Sequence, residues 1–248
     1  MDNKRYNPFY SGPLITVIMP VWNNAYKTID NAVNSIIDQF FKKGRPWIEI
    51  MFINDGSNDR ATKRKINGWV RQLALTEDSG SVINTVRNRG VSCARNAGIR
   101  RAAGKYICYL DADDVYYPCR FQDIMFYLED EDSKYDLIFQ KYDKVTYGDD
   151  RQIESQSVEI SNHVIGLTHL RSMGEVFPNN LTDRVTEVAI DNLRQQSTGV
   201  LEMSGKRCGK VYSRPTGQSR TKRMPSSGLG ITYTKYLSQA KHGLQRST

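Results

Sequence analysis

Three carboxylates, Asp111, Asp113 and Asp114, follow directly on the apolar run Tyr106-Ile107-Cys108-Tyr109-Leu110. Carboxylates so close repel one another in isolation. The arrangement becomes favourable when a hard divalent cation, Mg²⁺ or Mn²⁺, takes oxygens from one or two of them and from substrate phosphates. A solvated Asp-rich turn is the competing reading, because turns favour Asp on their own account. A second apolar run, Glu49 to Ile53, leads into Asn54-Asp55-Gly56-Ser57-Asn58-Asp59. There Asp55 can accept a hydrogen bond from a nucleobase N–H or a ribose hydroxyl, while Asn58 or Asp59 is placed to cap the helix that follows. A third segment, Asn88 to Gly98, opens a helix whose small residues Ala94, Ala97 and Gly98 allow close backbone approach. Arg89 and Arg95 lie near its start, where positive charge opposes the helix dipole and calls for an anion, either a donor phosphate or a structural carboxylate.

The elements that must hold these residues are legible in the hydrophobic pattern. From Leu14 to Leu110, short apolar runs alternate with helical spacing, which predicts a parallel sheet covered by helices. The predicted strands are Ile15–Met19, Ile48–Ile53, Val82–Val86 and Tyr106–Leu110. Ile29, Val33, Ile36, Ile37 and Phe40 recur at helical spacing in the first connection, and Ile66, Val70 and Leu73 in the second. In such sheets ligands sit beyond the carboxyl ends of the strands, where the loops diverge. The acidic segments fall at those ends. After Asp114 the pattern weakens to a helix over Arg120–Leu128, strands over Asp136–Gln140 and Lys144–Tyr147, a helix over Val185–Leu193, and a loop or tail rich in Gly, Ser, Pro and basic residues over Gly205–Gly230.

With 248 residues, 39% of them hydrophobic, the chain can bury the core of one large α/β domain. A charged fraction of 25% gives no argument for disorder. The net charge of +8 favours phosphates, nucleic acid or an anionic membrane surface as partners, without choosing among them. Much of that excess falls late, between Lys206 and Arg223. The four cysteines form no C-x-x-C pair, so free thiols and a cytoplasmic setting are expected. No apolar run reaches the ~20 residues of a membrane span, and Met1 to Tyr6 is unlike a secretory signal. Any membrane contact is therefore expected to be peripheral, through the basic C-terminal segment.

Four motifs in order, Pro20-Val21-Trp22-Asn23, Asn54-Asp55-Gly56-Ser57, Asn88-x-Gly90-x-Ser92-x-Ala94-Arg95-Asn96, and Gly104 to Ile107 with Leu110 to Asp114, resemble glycosyltransferase family 2. The resemblance covers Leu14 to Leu128. It implies a GT-A fold, a Rossmann-like α/β nucleotide-binding sheet, mostly parallel, with a less regular acceptor-side region toward the C-terminus. It also implies a nucleotide-sugar donor, most often uridine-linked (a UDP-sugar), used with Mn²⁺ or Mg²⁺. By position, Pro20, Val21 and Asn23 would line the nucleotide pocket and Asp55 would recognise the base. Asp111 and Asp113 would meet ribose and metal, while Arg95 stays a candidate contact for the donor phosphates from its place near the helix start. Trp22 stands where the family commonly has Tyr.

The second half matches less closely. The family's acidic pair after a Phe-Pro segment is represented by Phe177-Pro178 and a single Asp183, the candidate catalytic base, with Glu187 second. Val211-Tyr212-Ser213-Arg214 resembles the segment that closes over the diphosphate, which makes Arg214 a further donor contact. The expected organisation is an N-terminal extension (1–13), a nucleotide-sugar-binding core (14–147), an acceptor-side part (148–204) and a basic loop or tail (205–248). The expected function is metal-dependent, inverting transfer of a sugar to an acceptor hydroxyl on a glycan, a lipid-linked chain or another carrier. The alternatives are a basic nucleic-acid-binding protein on a non-catalytic scaffold of this kind and a glycosyltransferase acting on DNA.

Overall fold

The computed structural model describes residues 12–39, 48–76, 78–129, 135, 137–146, 157–158, 163–172, 195–197 and 199–213. The chain opens with β1 (Ile15–Val21), a 3-10 turn at Ala25–Lys27 and α1 (Ile29–Ile37). It continues through β2 (Ile48–Asn54), α2 (Arg60–Leu73), β3 (Ser79–Asn84), α3 (Val91–Arg101) and β4 (Tyr106–Tyr109). These strands lie in the order β3-β2-β1-β4 and all their pairings are parallel. The predicted alternation of strand and helix is thus what forms. The third strand starts three residues earlier than expected and ends at Asn84, leaving Val86 fully exposed. Its first residues, Ser79-Gly80-Ser81, have no strand-like pattern, but they pair with Glu49, Ile50 and Met51 of β2, and that partner decides the strand.

Alternate residues of β1 and β2 face two separate cores, as the two-residue period of a strand requires. Val17, Met19, Ile48, Ile50 and Phe52 face Val33 and Ile36 of α1 and Ile66, Trp69 and Leu73 of α2. Ile18, Met51 and Ile53 face Ala94 and Ile99 of α3. α3 lies unusually close to the sheet. A Cβ at Gly98 would come within 2.6 Å of Ile18 Cγ2, which explains the small residues read from the sequence.

Beyond β4 come β5 (Val115–Tyr116), α4 (Arg120–Glu129), β6 (Leu137–Thr146), β7 (Ser157–Val158), β8 (His163–Gly166), α5 (Leu167–Ser172) and β9 (Val200–Ser213). They extend the sheet as β4-β8-β6-β9-β5, with antiparallel pairings except for β6 beside β9. Two expectations change here. The two strands expected over 136–147 are one strand, because β9 pairs with β6 from Leu137 to Thr146, with register shifts around Lys141, while β8 and then β7 pair with it over Leu137–Phe139 and Tyr142–Asp143. The basic segment expected to be a loop from Gly205 is strand as far as Ser213. Pairing with β6 and with Val115 and Tyr116 of β5 satisfies its backbone, although its composition carries no strand signal. The helix expected over Val185–Leu193 and the tail beyond Ser213 lie outside the described residues.

Candidate active site

β1 and β4 part at their carboxyl ends, the place where ligands sit in open sheets of this kind. Their register runs from Ile15 beside Tyr106 to Ile18 beside Tyr109, and Leu110 N–H still donates to Ile18 O at 3.1 Å. β1 then continues to Val21 with only β2 beside it. Pro20 sits in that stretch, where β4 no longer pairs and its missing N–H costs no ladder bond on that side. The chain turns at Asp111, whose carbonyl accepts from Asp114 N–H at 3.0 Å. Beyond the turn, Tyr116 N–H donates to Ser35 Oγ (3.0 Å) and Phe121 N–H to Gln39 Oε1 (3.0 Å), so α1 fixes the exit of the turn.

Asp111 and Asp113 are both partly exposed at this strand end, while Asp114 is buried. Asp111 is not alone: Arg95 of α3 approaches its Oδ1 at 3.0 Å. The Arg95 side chain is only 6% exposed, against 40% for Asp111, and its guanidinium lies 5.7 Å from the ring of Tyr109. Burial pushes the Tyr109 phenol far above its ordinary range, with Arg95 opposing the shift, so the ring stays neutral. Of the two anions that the sequence offered Arg95, the structure supplies a carboxylate.

Asp55, 3% exposed, fastens the loop between β3 and α3. Its oxygens accept from Thr85 Oγ1 (3.1 Å), from Arg89 N–H (3.1 Å to each) and from Gly90 N–H (2.8 Å). Gly56 beside it has φ +66°, and a Cβ there would meet Arg87 C at 2.4 Å, so that loop can close over the strand end only above a glycine. The strand-end acid is therefore a loop fastener whatever else it binds, a role the sequence reading did not foresee.

Asn23 also has a local task, since its Oδ1 accepts from the N–H groups of Asn58 (2.9 Å) and Asp59 (3.2 Å). Asp59 is the cap of α2, accepting from Ala61 N–H at 2.8 Å, Thr62 Oγ1 at 2.6 Å and Asn24 N–H at 3.1 Å. Desolvation raises its pKa, but these hydrogen bonds outweigh it and hold the carboxyl below its ordinary value. Capping, one of the two readings of this segment, is what forms. Trp22 is 43% exposed at the rim.

Asp111 and Asp113 fit a hard divalent cation. Both are partly exposed carboxylates at a strand end, and no group of three or more His, Cys, Asp or Glu side chains able to hold a metal occurs among the described residues. A cation that takes one or two protein carboxylates and completes its shell with water and substrate phosphate needs no such group. Asp183, Glu187 and Arg214 lie outside the described residues. No described helix is long and apolar enough to cross a membrane.

Solved structures similar to this one include complexes with nucleotide sugars. Staphylococcus aureus TarS (residues 1–349) in complex with UDP-GlcNAc matches with a TM-score of 0.66 and 16% identity, over 90% of this chain and 64% of that one. The mannosyltransferase PcManGT from Pyrobaculum calidifontis, in complex with GDP-Man and Mn²⁺, matches at 0.60 and 14% identity, over 96% and 65%. The fold is thus the α/β fold of the GT-A glycosyltransferases. Residues 16–184 match Glycosyl transferase family 2, and the chain belongs to that family. An uncharacterised glycosyltransferase of Rickettsia conorii is 33% identical over 141 residues, covering 54% of this chain. The chain spans 21% of that relative, and under half the length of the curated relatives it matches.

Proposed function

We propose that the chain transfers a sugar from a nucleotide diphosphate donor, a UDP-sugar, to an acceptor hydroxyl with inversion, using a divalent cation. The observation that carries this reading is the strand-end turn, where Asp111 and Asp113 stand beyond the point at which β1 and β4 part, with Asp111 clamped by Arg95. Pro20, Val21 and the Asp55-fastened loop form the nucleoside side of that site. Asp111 keeps Oδ2 for the ribose, and Asp113 with Asp111 would hold Mn²⁺ or Mg²⁺. When bound, the cation neutralises charge growing on the departing diphosphate.

Arg95 acts in this scheme as a positioning residue. Buried behind Asp111, it offsets the repulsion between neighbouring carboxylates and holds one of them in a single rotamer. In the transfer itself the acceptor hydroxyl attacks the anomeric carbon from the face opposite the leaving group, and a carboxylate takes its proton. Asp183 is our candidate for that base and Glu187 the next, while Arg214 is our candidate for a diphosphate contact. The test is a screen of nucleotide sugars for metal-dependent hydrolysis and thermal stabilisation, run on the chain and on Asp113→Asn. The expected outcome is that one donor stabilises both proteins while hydrolysis is lost in the variant. Wild-type turnover of Asp113→Asn at limiting Mn²⁺ overturns the metal assignment.

A further inference from the structure

The outward face of α2 is strongly cationic. Arg60, Arg64, Asn67 and Arg71 recur at spacings of four, three and four, and Lys63 lies beside them, so all five side chains share one side of the helix. All five are exposed. The helix contains no acidic residue, and its Lys65 is paired with Asp30 at 2.7 Å. Among the described residues none of Arg60, Lys63, Arg64 and Arg71 has an ion-pair partner. A solvated helix face would account for these charges alone.

A second feature joins them. A pocket of about 380 Å³ lies between the first half of α2 and the end of β3, with Lys63 and Asn67 on its rim. Its walls carry carboxamides and hydroxyls from Asn58, Asn84, Thr85 and Ser57, over a small apolar floor of Ile66 and Val82. The Ser57 hydroxyl is buried, in a residue 2% exposed, and has no hydrogen-bond partner among the described residues. A buried hydroxyl in that condition is costly unless a ligand or water completes it. The pocket carries no acid, and its polar groups can both donate and accept, as a hydroxylated ligand requires.

We propose that this pocket and the α2 face together bind a phosphodiester-linked chain of hydroxylated units, a polyol phosphate or glycosyl phosphate polymer. One unit occupies the pocket, and its flanking phosphates meet Lys63, Arg60 and Arg64. Single-stranded nucleic acid fits less well, because no aromatic side chain lines the pocket to stack a base. A bilayer fits less well, because α2 itself presents no exposed large apolar side chain to insert, the exposed Leu75 and Val86 lying outside the helix. Neither Asp111 nor Asp113 lines this pocket, although Thr85 on its wall also bonds Asp55, so binding here is read by calorimetry without any transfer reaction.

The experiment is calorimetry of the full chain with a synthetic oligo(glycerol phosphate), run beside uridine diphosphate. We expect saturable binding that weakens steeply between about 50 and 200 mM salt. In Lys63→Ala/Arg64→Ala, oligomer affinity should fall about tenfold, with a shallower salt dependence, as phosphate contacts are lost. In Asn67→Ala, oligomer affinity should fall about threefold with the salt dependence unchanged, the mark of a lost neutral hydrogen bond. Uridine diphosphate affinity and melting temperature should hold in both variants. Absence of oligomer binding, undiminished binding in the variants, or equally tight binding of single-stranded DNA or phosphatidylglycerol vesicles would each overturn the proposal. Failure to bind uridine diphosphate would instead count against the transferase reading and leave this one standing.

Discussion

Removing the Asp55 carboxylate should loosen both the fold and the nucleotide site, and the hydrogen bonds set the size of each effect. In Asp55→Ala, Thr85 Oγ1 keeps an acceptor in Arg87 O at 3.0 Å, and Gly90 N–H keeps Asn88 Oδ1 at 3.1 Å. Arg89 N–H loses the two Asp55 oxygens that it shares. The net loss is close to one charge-assisted hydrogen bond plus part of a second. Because Arg89 and Asn88 are exposed, water recovers some of it. We therefore expect a loss of about 2–3 kcal/mol of stability. For a chain of this size that lowers the melting temperature by about 5–10 °C. If the fastened loop also shapes the base pocket, calorimetry with uridine diphosphate should show affinity falling about tenfold or more, without acceptor present. Lower melting temperature with unchanged affinity would remove the loop from the nucleotide site. Lower affinity with unchanged melting temperature would mean that Asp55 meets the ligand and that its loop bonds contribute nothing. No change in either refutes the argument.

Arg95→Met should reduce donor affinity measured without metal, because Asp111 is released from its single rotamer, and Arg95→Lys should restore part of that loss; equal affinity in all three proteins would show that the ion pair positions nothing. Gly98→Ala should cost about 1–3 kcal/mol in urea unfolding, since a Cβ 2.6 Å from Ile18 Cγ2 forces α3 off the sheet. A stabilised variant would place the helix farther out. Asp59, whose folded pKa is held below the ordinary aspartate value by its hydrogen bonds, adds stability that is present above that ordinary value and lost as pH falls through the folded pKa. Asp59→Asn should therefore be less stable than wild type at pH ~7, with the difference shrinking toward pH ~3, and a gap that stays constant with pH would refute the linkage.

The sequence by itself determined the nucleotide-binding half. Its strands have strong apolar periods and its loops carry residues of restricted use, so both the strand-end location of Asp55, Asp111 and Asp113 and the family could be read without coordinates. Local chemistry suffices there, because a buried parallel strand and the turn after it are encoded by the residues that form them. Partner choice is not local. That Arg95 meets Asp111, 16 positions away, rather than an external anion, and that Asp55 holds Arg89 and Gly90, depend on how α3 docks. That docking depends on the missing side chain at Gly98 and on Ile18 opposite it, which lie on different elements. Strand β9 is the clearest case of tertiary decision. Gly205 to Ser213 reads as a basic loop, and it becomes a strand because β6 and β5 present open edges whose backbone groups need partners.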